Sequence, residues 1–393
     1  MEKLRIGVVG LGAVVRDIYQ YLYYRSDFTP FIQIAGVADP SPAARQWFCD
    51  TFHFPVDRAF ATHQELLDKV EFDVAQINTP DVLHCGPAVD ALKAGRDVLV
   101  PKPTAATIQD VHTMIRTARE NGRLLAVDFH KREDPRFKEA EARYRSGRYG
   151  QFQAAVWYMV DKILVVDPNR EPPFFATPGF AEKNSPISFL TVHMADSFMK
   201  IVGLKPVEVR ATGFSQKLPA LKPKAVKGYD LVDTEIRFEN GGVAHIITGW
   251  HLPNMAHSLT VQESRMICTE GMLDLGIDTP GYREIHAEGL FEVNPLYRNF
   301  DRHGMVSGYA VSNPGRLLQK LLAARSGHLG DDVRQAMMDP IELGFCTTAV
   351  LEAAETSLKQ GRTVAPGVTA GGPVVMADLV RDRIGADAAG YGF

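Results

Sequence analysis

Gly10-Leu11-Gly12-Ala13-Val14-Val15 follows the apolar run Leu4–Val9 and precedes a helix-like stretch near 14–24. Two glycines at this spacing suit a tight turn and a close approach of main-chain amides to a diphosphate, with the free N–H groups of the helix start facing the anion. The third position of such a turn is usually Gly or Ala. Here it is Val15, which should push the helix slightly off the strand. A second apolar run, Ile32–Ala38, ends in Asp39. A carboxylate there can accept from both hydroxyls of a ribose and would repel a 2′-phosphate, so the pattern favours NAD over NADP. On the motif alone, a glycine turn in an α/β protein that binds no nucleotide is the alternative.

Lys102 lies between Pro101 and Pro103, just after the run Val98–Val100. Both prolines restrict the local backbone. Open α/β sheets bind ligands at the carboxyl ends of such strands. A lysine there can hold a substrate hydroxyl and stabilise the alkoxide character that develops as hydride leaves; a solvated surface lysine is the other reading. His193 falls on a helix predicted near 186–202, with Ser185 as cap, Pro186 in the first turn and Gly203 at the end. Ile187, Leu190, Met194, Phe198 and Ile201 make its apolar stripe, and His193 lies roughly 100° from the stripe's centre. A neutral imidazole there suits an alcohol proton, although spacing alone favours an exposed or core-edge histidine. Asp196, three residues on, reads as a structural hydrogen bond or as an acceptor that orients His193.

These residues need a frame. Over residues 1–130, short apolar runs without strict alternation exchange with helical stretches near 41–52, 63–69, 83–94 and 107–121. That order predicts a doubly wound parallel sheet, a Rossmann domain. From 131 to 365 the pattern changes. A charged helix near 133–146 is followed by strand-like runs at 151–160, 206–215, 231–239, 242–250, 258–268 and 272–275, and by helices near 309–325 and 340–359. Glu239-Asn240-Gly241-Gly242 is a hairpin turn. The second domain is therefore expected to be α+β with a mainly antiparallel open sheet, whose open face suits a subunit contact. Residues 366–393 read as a tail or an oligomer arm.

The composition excludes other classes. The 393 residues carry a formal charge of −4 and no long like-charge run, which argues against a nucleic-acid partner. Cys49, Cys85, Cys268 and Cys346 form no CxxC pair, and no metal-ligand spacing such as HExxH occurs, so no metal is expected. No apolar run reaches the roughly 18 residues of a membrane span. No secretory leader is evident, so the cytoplasm is the expected compartment.

Four segments resemble the Gfo/Idh/MocA oxidoreductases: Gly7-Val8-Val9-Gly10-Leu11-Gly12; Ile77-Asn78-Thr79-Pro80 with His84; Val100-Pro101-Lys102-Pro103; and Thr191-Val192-His193-Met194-Ala195-Asp196. The resemblance spans roughly 4–365. It implies an NAD-dependent dehydrogenase or reductase acting on a CH–OH group of a sugar, inositol or related polyol, working as a homodimer or homotetramer. It implies that Asn78, Thr79, Pro80 and His84 line the cofactor cleft, and that Lys102 reaches nicotinamide and substrate. His193 is then the catalytic histidine, and His130, Lys131, Arg132 and Asp196 border the substrate. The chain departs from the family pattern in three places, one of them Asn184-Ser185-Pro186 where Gly-Gly is usual. Pro101 replaces a glutamate, and Phe189 stands where the family carries a catalytic aspartate four residues before the histidine. Two alternatives stay open: a lyase or hydrolase that uses NAD without net redox, which the resemblance allows, and a non-catalytic NAD-binding sensor, which Pro101 and Phe189 keep in play.

Overall fold

The computed structural model describes residues 3–175, 179–256, 258–276, 282–286, 289–293 and 297–393. The chain divides into two compact units, Met1–Asp134 with Asn294–Phe345, and Pro135–Val293 with Cys346–Phe393.

The first unit is built on a six-stranded parallel sheet of order β3-β2-β1-β4-β5-β6. Its strands are β1 (Leu4–Val9), β2 (Ile32–Ala38), β3 (Ala59–Phe60), β4 (Val74–Ile77), β5 (Asp97–Pro101) and β6 (Leu125–Asp128). All four residues of β4 and of β6 are buried, which is why these strands read as apolar runs without alternation. The helices between them start as their sequences dictate. Thr62 and Glu65 form a reciprocal capping box, and Ser41 and Thr107 cap the next amides with their hydroxyls. After β1 the helix opens with a widened π turn, Val15–Tyr19, before the regular turns Gln20–Tyr24. Val15 is fully buried. The wide turn accommodates its branched side chain at the position where Gly or Ala would let helix and strand pack closely.

Residues 297–345 return to this unit. The sequence pattern alone assigns them to the second domain, and the structure differs. In the helix Tyr309–Arg325, Leu318 and Leu321 pack in one core cluster with Leu4, Tyr19, Leu22 and Tyr23.

The second unit carries a nine-stranded sheet. Its labelled strands are β7 (Phe152–Lys162), β8 (Pro206–Phe214), β9 (Leu231–Phe238), β10 (Val243–Leu252), β11 (Thr260–Cys268) and β12 (Gly271–Gly276). The order is β12-β11-β7-β10-β9-β8, extended by 368–370 and 362–365. Only the β7–β10 pairing is parallel among these, so the sheet is mainly antiparallel as the pattern predicts. Alternation in β9 sends Val232, Thr234, Ile236 and Phe238 inward. The helix Val192–Val202 packs there, with Phe198 edge-on to Trp157 at 5.1 Å and against Phe238 at 5.3 Å. Residues 366–393, read from sequence as a tail or arm, pair two short strands with β8 and continue into the helix Met376–Ile384.

Candidate functional site

Gly10 sits at φ +88°, and its N–H donates to the Ala38 carbonyl at 2.7 Å. A Cβ on Gly10 would stand 2.8 Å from the Asn78 main chain, so only glycine fits. Gly12 is the opposite case. A Cβ there would meet nothing within 4 Å. The first helical bond, Arg16 N–H to Gly12 C=O, leaves the amides of Ala13, Val14 and Val15 ahead of it as donors at the helix start. Asp39 ties this turn to β2. Its Oδ2 accepts from the Leu11 N–H at 2.7 Å and its Oδ1 from the Ser41 N–H at 2.8 Å. Each carboxylate oxygen keeps acceptor capacity for a ribose hydroxyl.

At the end of β4, the Asn78 amide and the Thr79 hydroxyl are buried without a hydrogen-bond partner, and so is Gln76. The Tyr23 hydroxyl lies beside Asn78, with neither group in hydrogen-bond geometry. Buried polar groups of this kind cost free energy unless something satisfies them. Beside an open glycine cradle and an acceptor carboxylate, they fit a dinucleotide. Pro80 follows and starts the short helical turn Asp81–Leu83. His84 sits deeper. Its Nε2 lies 2.9 Å from the Thr79 carbonyl, and its Nδ1 lies 3.1 Å from the carbonyls of both Pro103 and Thr104. Burial lowers its pKa despite these acceptors. His84 thus joins the β4 loop to the lysine loop.

Lys102 follows Pro101, which pairs with Asp128 across β5 and β6. Its loop is braced by the Thr104 hydroxyl, which donates to the Leu343 carbonyl at 2.6 Å. Lys102 is half-buried. His130, two residues past β6, is half-buried, and its pKa lies well below the usual value. Burial is the main cause, and the charges of Lys131 and Lys102 push it further down. The His130 ring stacks on Tyr309 at 5.7 Å and meets Tyr297 edge-on at 5.9 Å. The Lys131 ammonium lies 6.0 Å over Tyr309. Arg132 turns elsewhere: it donates to the Glu342 carboxylate at 2.9 Å and to the Ile341 carbonyl at 3.0 Å, over the Phe129 ring. Its side chain therefore holds the 341–342 loop.

Beneath this group lies a carboxylate the sequence reading passed over. Asp128 accepts from the Tyr19 hydroxyl at 2.8 Å and from the Asn313 amide at 2.7 Å. The signal that singled out Asp39, an acid ending a parallel strand, applies equally to Asp128. Tyr19, Tyr297, Tyr309 and Asn313 carried no such signal. Burial pushes the Asp128 carboxyl up to about 6, against the two hydrogen bonds that lower it. A raised carboxyl pKa means the folded state binds the extra proton. The stabilisation it gives is complete below the unfolded value near 4 and is lost as pH rises through 6. The two histidines have the opposite sign: with depressed pKa values, His84 and His130 cost stability as pH falls below about 6.5. Asp128→Asn should therefore raise stability by about 1–3 kcal/mol at pH near 8 and by almost nothing near pH 4. Paired thermal melts of the variant and the parent at the two pH values check this, and an equal shift at both would contradict it.

In the second unit the predicted cap is present. The Ser185 hydroxyl accepts from the Ser188 N–H at 3.2 Å and donates to the Glu355 carboxylate at 2.6 Å. The first turn, Ile187–Thr191, is again π. The stripe Ile187, Leu190, Met194, Phe198 and Ile201 is buried as expected. The flank is covered too: His193 is 9% exposed and Asp196 3%. Asp196 accepts from the Thr347 hydroxyl at 3.2 Å. Among the described residues, no group of three or more His, Cys, Asp or Glu could hold a metal, and no helix is long and apolar enough to cross a membrane.

The parallel sheet, the glycine turn and the lysine at a strand end define an NAD-binding oxidoreductase of the dehydrogenase and reductase type. Residues 4–129 match the model of an oxidoreductase family with an NAD-binding Rossmann fold. Over that segment the chain is similar to the Gfo/Idh/MocA oxidoreductases, and NAD is its cofactor. It is 25% identical to D-glucoside 3-dehydrogenase of Escherichia coli (strain K12) over 266 residues, 64% of this chain and 71% of that one. It is 33% identical to 1-carboxy-3-chloro-3,4-dihydroxycyclohexa-1,5-diene dehydrogenase of Comamonas testosteroni over 150 residues, 38% of this chain and 36% of that one. The myo-inositol 2-dehydrogenase of Lactobacillus plantarum shares the fold, with TM-score 0.71 at 14% identity, over 94% of this chain and 100% of the other. The lyase and sensor alternatives find no support among these relatives.

Proposed function

We propose that the enzyme moves a hydride between NAD and a ring CH–OH of a sugar, inositol or related cyclic polyol. Bound NAD supplies the two-electron acceptor at its nicotinamide. The carbinol loses its C–H hydrogen as hydride and its O–H proton to a base, leaving a carbonyl, and reduction reverses both transfers. The observation that carries this reading is Lys102. It is a half-buried ammonium at the carboxyl end of a parallel strand, in a loop braced by Thr104 and joined through His84 to the Asn78–Pro80 edge. An ammonium there donates to the reacting oxygen and steadies its developing charge. His193 is assigned the proton, and Lys131 and His130 the substrate's neighbouring hydroxyls. The similarity to a D-glucoside dehydrogenase of Escherichia coli and to a dihydroxycyclohexadiene dehydrogenase of Comamonas testosteroni supports the substrate class.

Incubation with NAD and a panel of glucosides, inositols and cyclic diols should form NADH in step with a ketone. A converted substrate without net NADH would point to the lyase chemistry, and tight NAD binding without any conversion to a sensor. The reading also places the enzyme in the cytoplasm as a homodimer or homotetramer. Val156, Ile267 and Met272, each about half exposed on one face of β7, β11 and β12, support a subunit contact there.

A further inference from the structure

Phe189 takes the place where the resemblance expects an aspartate, and it does not stand alone. Its ring meets Phe180 edge-on at 5.3 Å, Phe175 at 5.6 Å and Trp250 at 5.6 Å. Phe175 and Phe180 pack on each other at 4.3 Å. Trp250 is fully buried at the base, and its indole N–H has no hydrogen-bond partner. The three phenylalanines are only half-buried, so part of the cluster's surface is open. Phe189 lies one helical turn before His193, which puts the two on one face of the helix. Phe189 thus brings the aromatic cluster to the helix face that carries the group assigned the substrate proton.

That face sets what can approach His193. A carbon-rich ring gains offset or edge contacts with phenylalanines and loses no hydrogen bond. A hydroxyl pressed against the same surface is stripped of water with nothing to accept or donate, which weakens binding by about tenfold for each unpaired group. We infer that this dehydrogenase prefers a cyclic vicinal diol with a flat, carbon-rich ring face, of the dihydroxycyclohexadiene kind, over a ring hydroxylated at every carbon. The inference rests on the dehydrogenase reading above and narrows its substrate class. Oxidation of such a diol keeps the same balance: one C–H hydrogen passes to NAD as hydride and one O–H proton to the protein, giving a hydroxyketone.

The test compares cis-1,2-dihydroxycyclohexa-3,5-diene with myo-inositol as NAD-dependent substrates of the whole enzyme, in the parent and in Phe189→Leu. Leucine keeps the site apolar and near in volume while removing the ring, and Phe189→Tyr restores a ring if the leucine variant folds poorly. The parent should show kcat/KM for the diol at least about tenfold above that for myo-inositol. Phe189→Leu should raise KM for the diol about fivefold or more with kcat little changed, and Phe189→Tyr should restore it. A parent that prefers myo-inositol, or a substrate ratio unmoved by Phe189→Leu, overturns the inference and shows the cluster serves only to pin its own loop. If neither compound yields NADH, the dehydrogenase reading fails separately, and calorimetric titration with the diol decides the inference. Binding weakened by Phe189→Leu upholds it, and no binding overturns it.

Discussion

Lys102→Ala should lower turnover by about a hundred- to a thousandfold while NAD affinity stays within about threefold. The separation follows from where the contacts lie. The pyrophosphate and ribose are assigned to the Gly10–Val15 turn and to Asp39, and the Asn78 amide and Thr79 hydroxyl are on β4's loop. The Asn78 amide and the Thr79 hydroxyl have no hydrogen-bond partner in the protein, so neither is held by the Lys102 side chain. What the ammonium supplies is a charge-assisted donor at the reacting oxygen, and that interaction strengthens as the oxygen becomes alkoxide-like. Its loss therefore falls on kcat more than on binding. A second readout guards against simple misfolding. The Lys102 charge is one of the causes that hold the His130 pKa down. Removing it should let the His130 pKa rise, while burial, the larger cause, still keeps it below the ordinary value. Histidine titration by NMR reads that shift in a folded variant. Unchanged turnover in Lys102→Ala would remove the lysine from the chemistry.

The nucleotide half of the site was legible because its signals are local. A parallel strand buried on both faces must be an apolar run, a turn that approaches an anion must be glycine, and an acid at the next strand's end is two residues of pattern. What lay out of reach was partnership across long separations. The amphipathic period of Tyr309–Arg325 says that one face is buried, not that Asn313 on it reaches Asp128 or that Tyr309 stacks on His130. Tyr19 reads as a core aromatic until its hydroxyl is seen on a buried carboxylate. Arg132 looked available to a substrate because charge at a junction has no address, and its carboxylate partner is Glu342, far along the chain. The same limit applies to Phe189. Its departure from the family pattern is visible in one residue, but the consequence depends on Phe175 and Phe180, which come from a stretch without any period.

Two neighbouring glycines separate the needs of folding from those of binding, and their substitutions should diverge. Gly12→Val is expected to leave the melting temperature within a few degrees of the parent, because a Cβ at that site meets nothing within 4 Å. NAD affinity should nonetheless fall by about a hundredfold or more, since the branched side chain fills the space through which main-chain amides approach the pyrophosphate. Gly10→Ala should do the reverse in order of cause. Its φ of +88° is unfavourable for any L side chain, and the added methyl would press on the Asn78 carbonyl carbon and oxygen at 2.8 Å. Strain and clash together should cost about 2–4 kcal/mol of stability, and NAD binding would suffer only because β1 and β4 are forced apart. Melting curves and NAD titration on the two variants give four numbers. Should Gly12→Val bind NAD as the parent does, the open space beside Gly12 is not where the diphosphate lies, and the cofactor must be placed elsewhere along the strand ends.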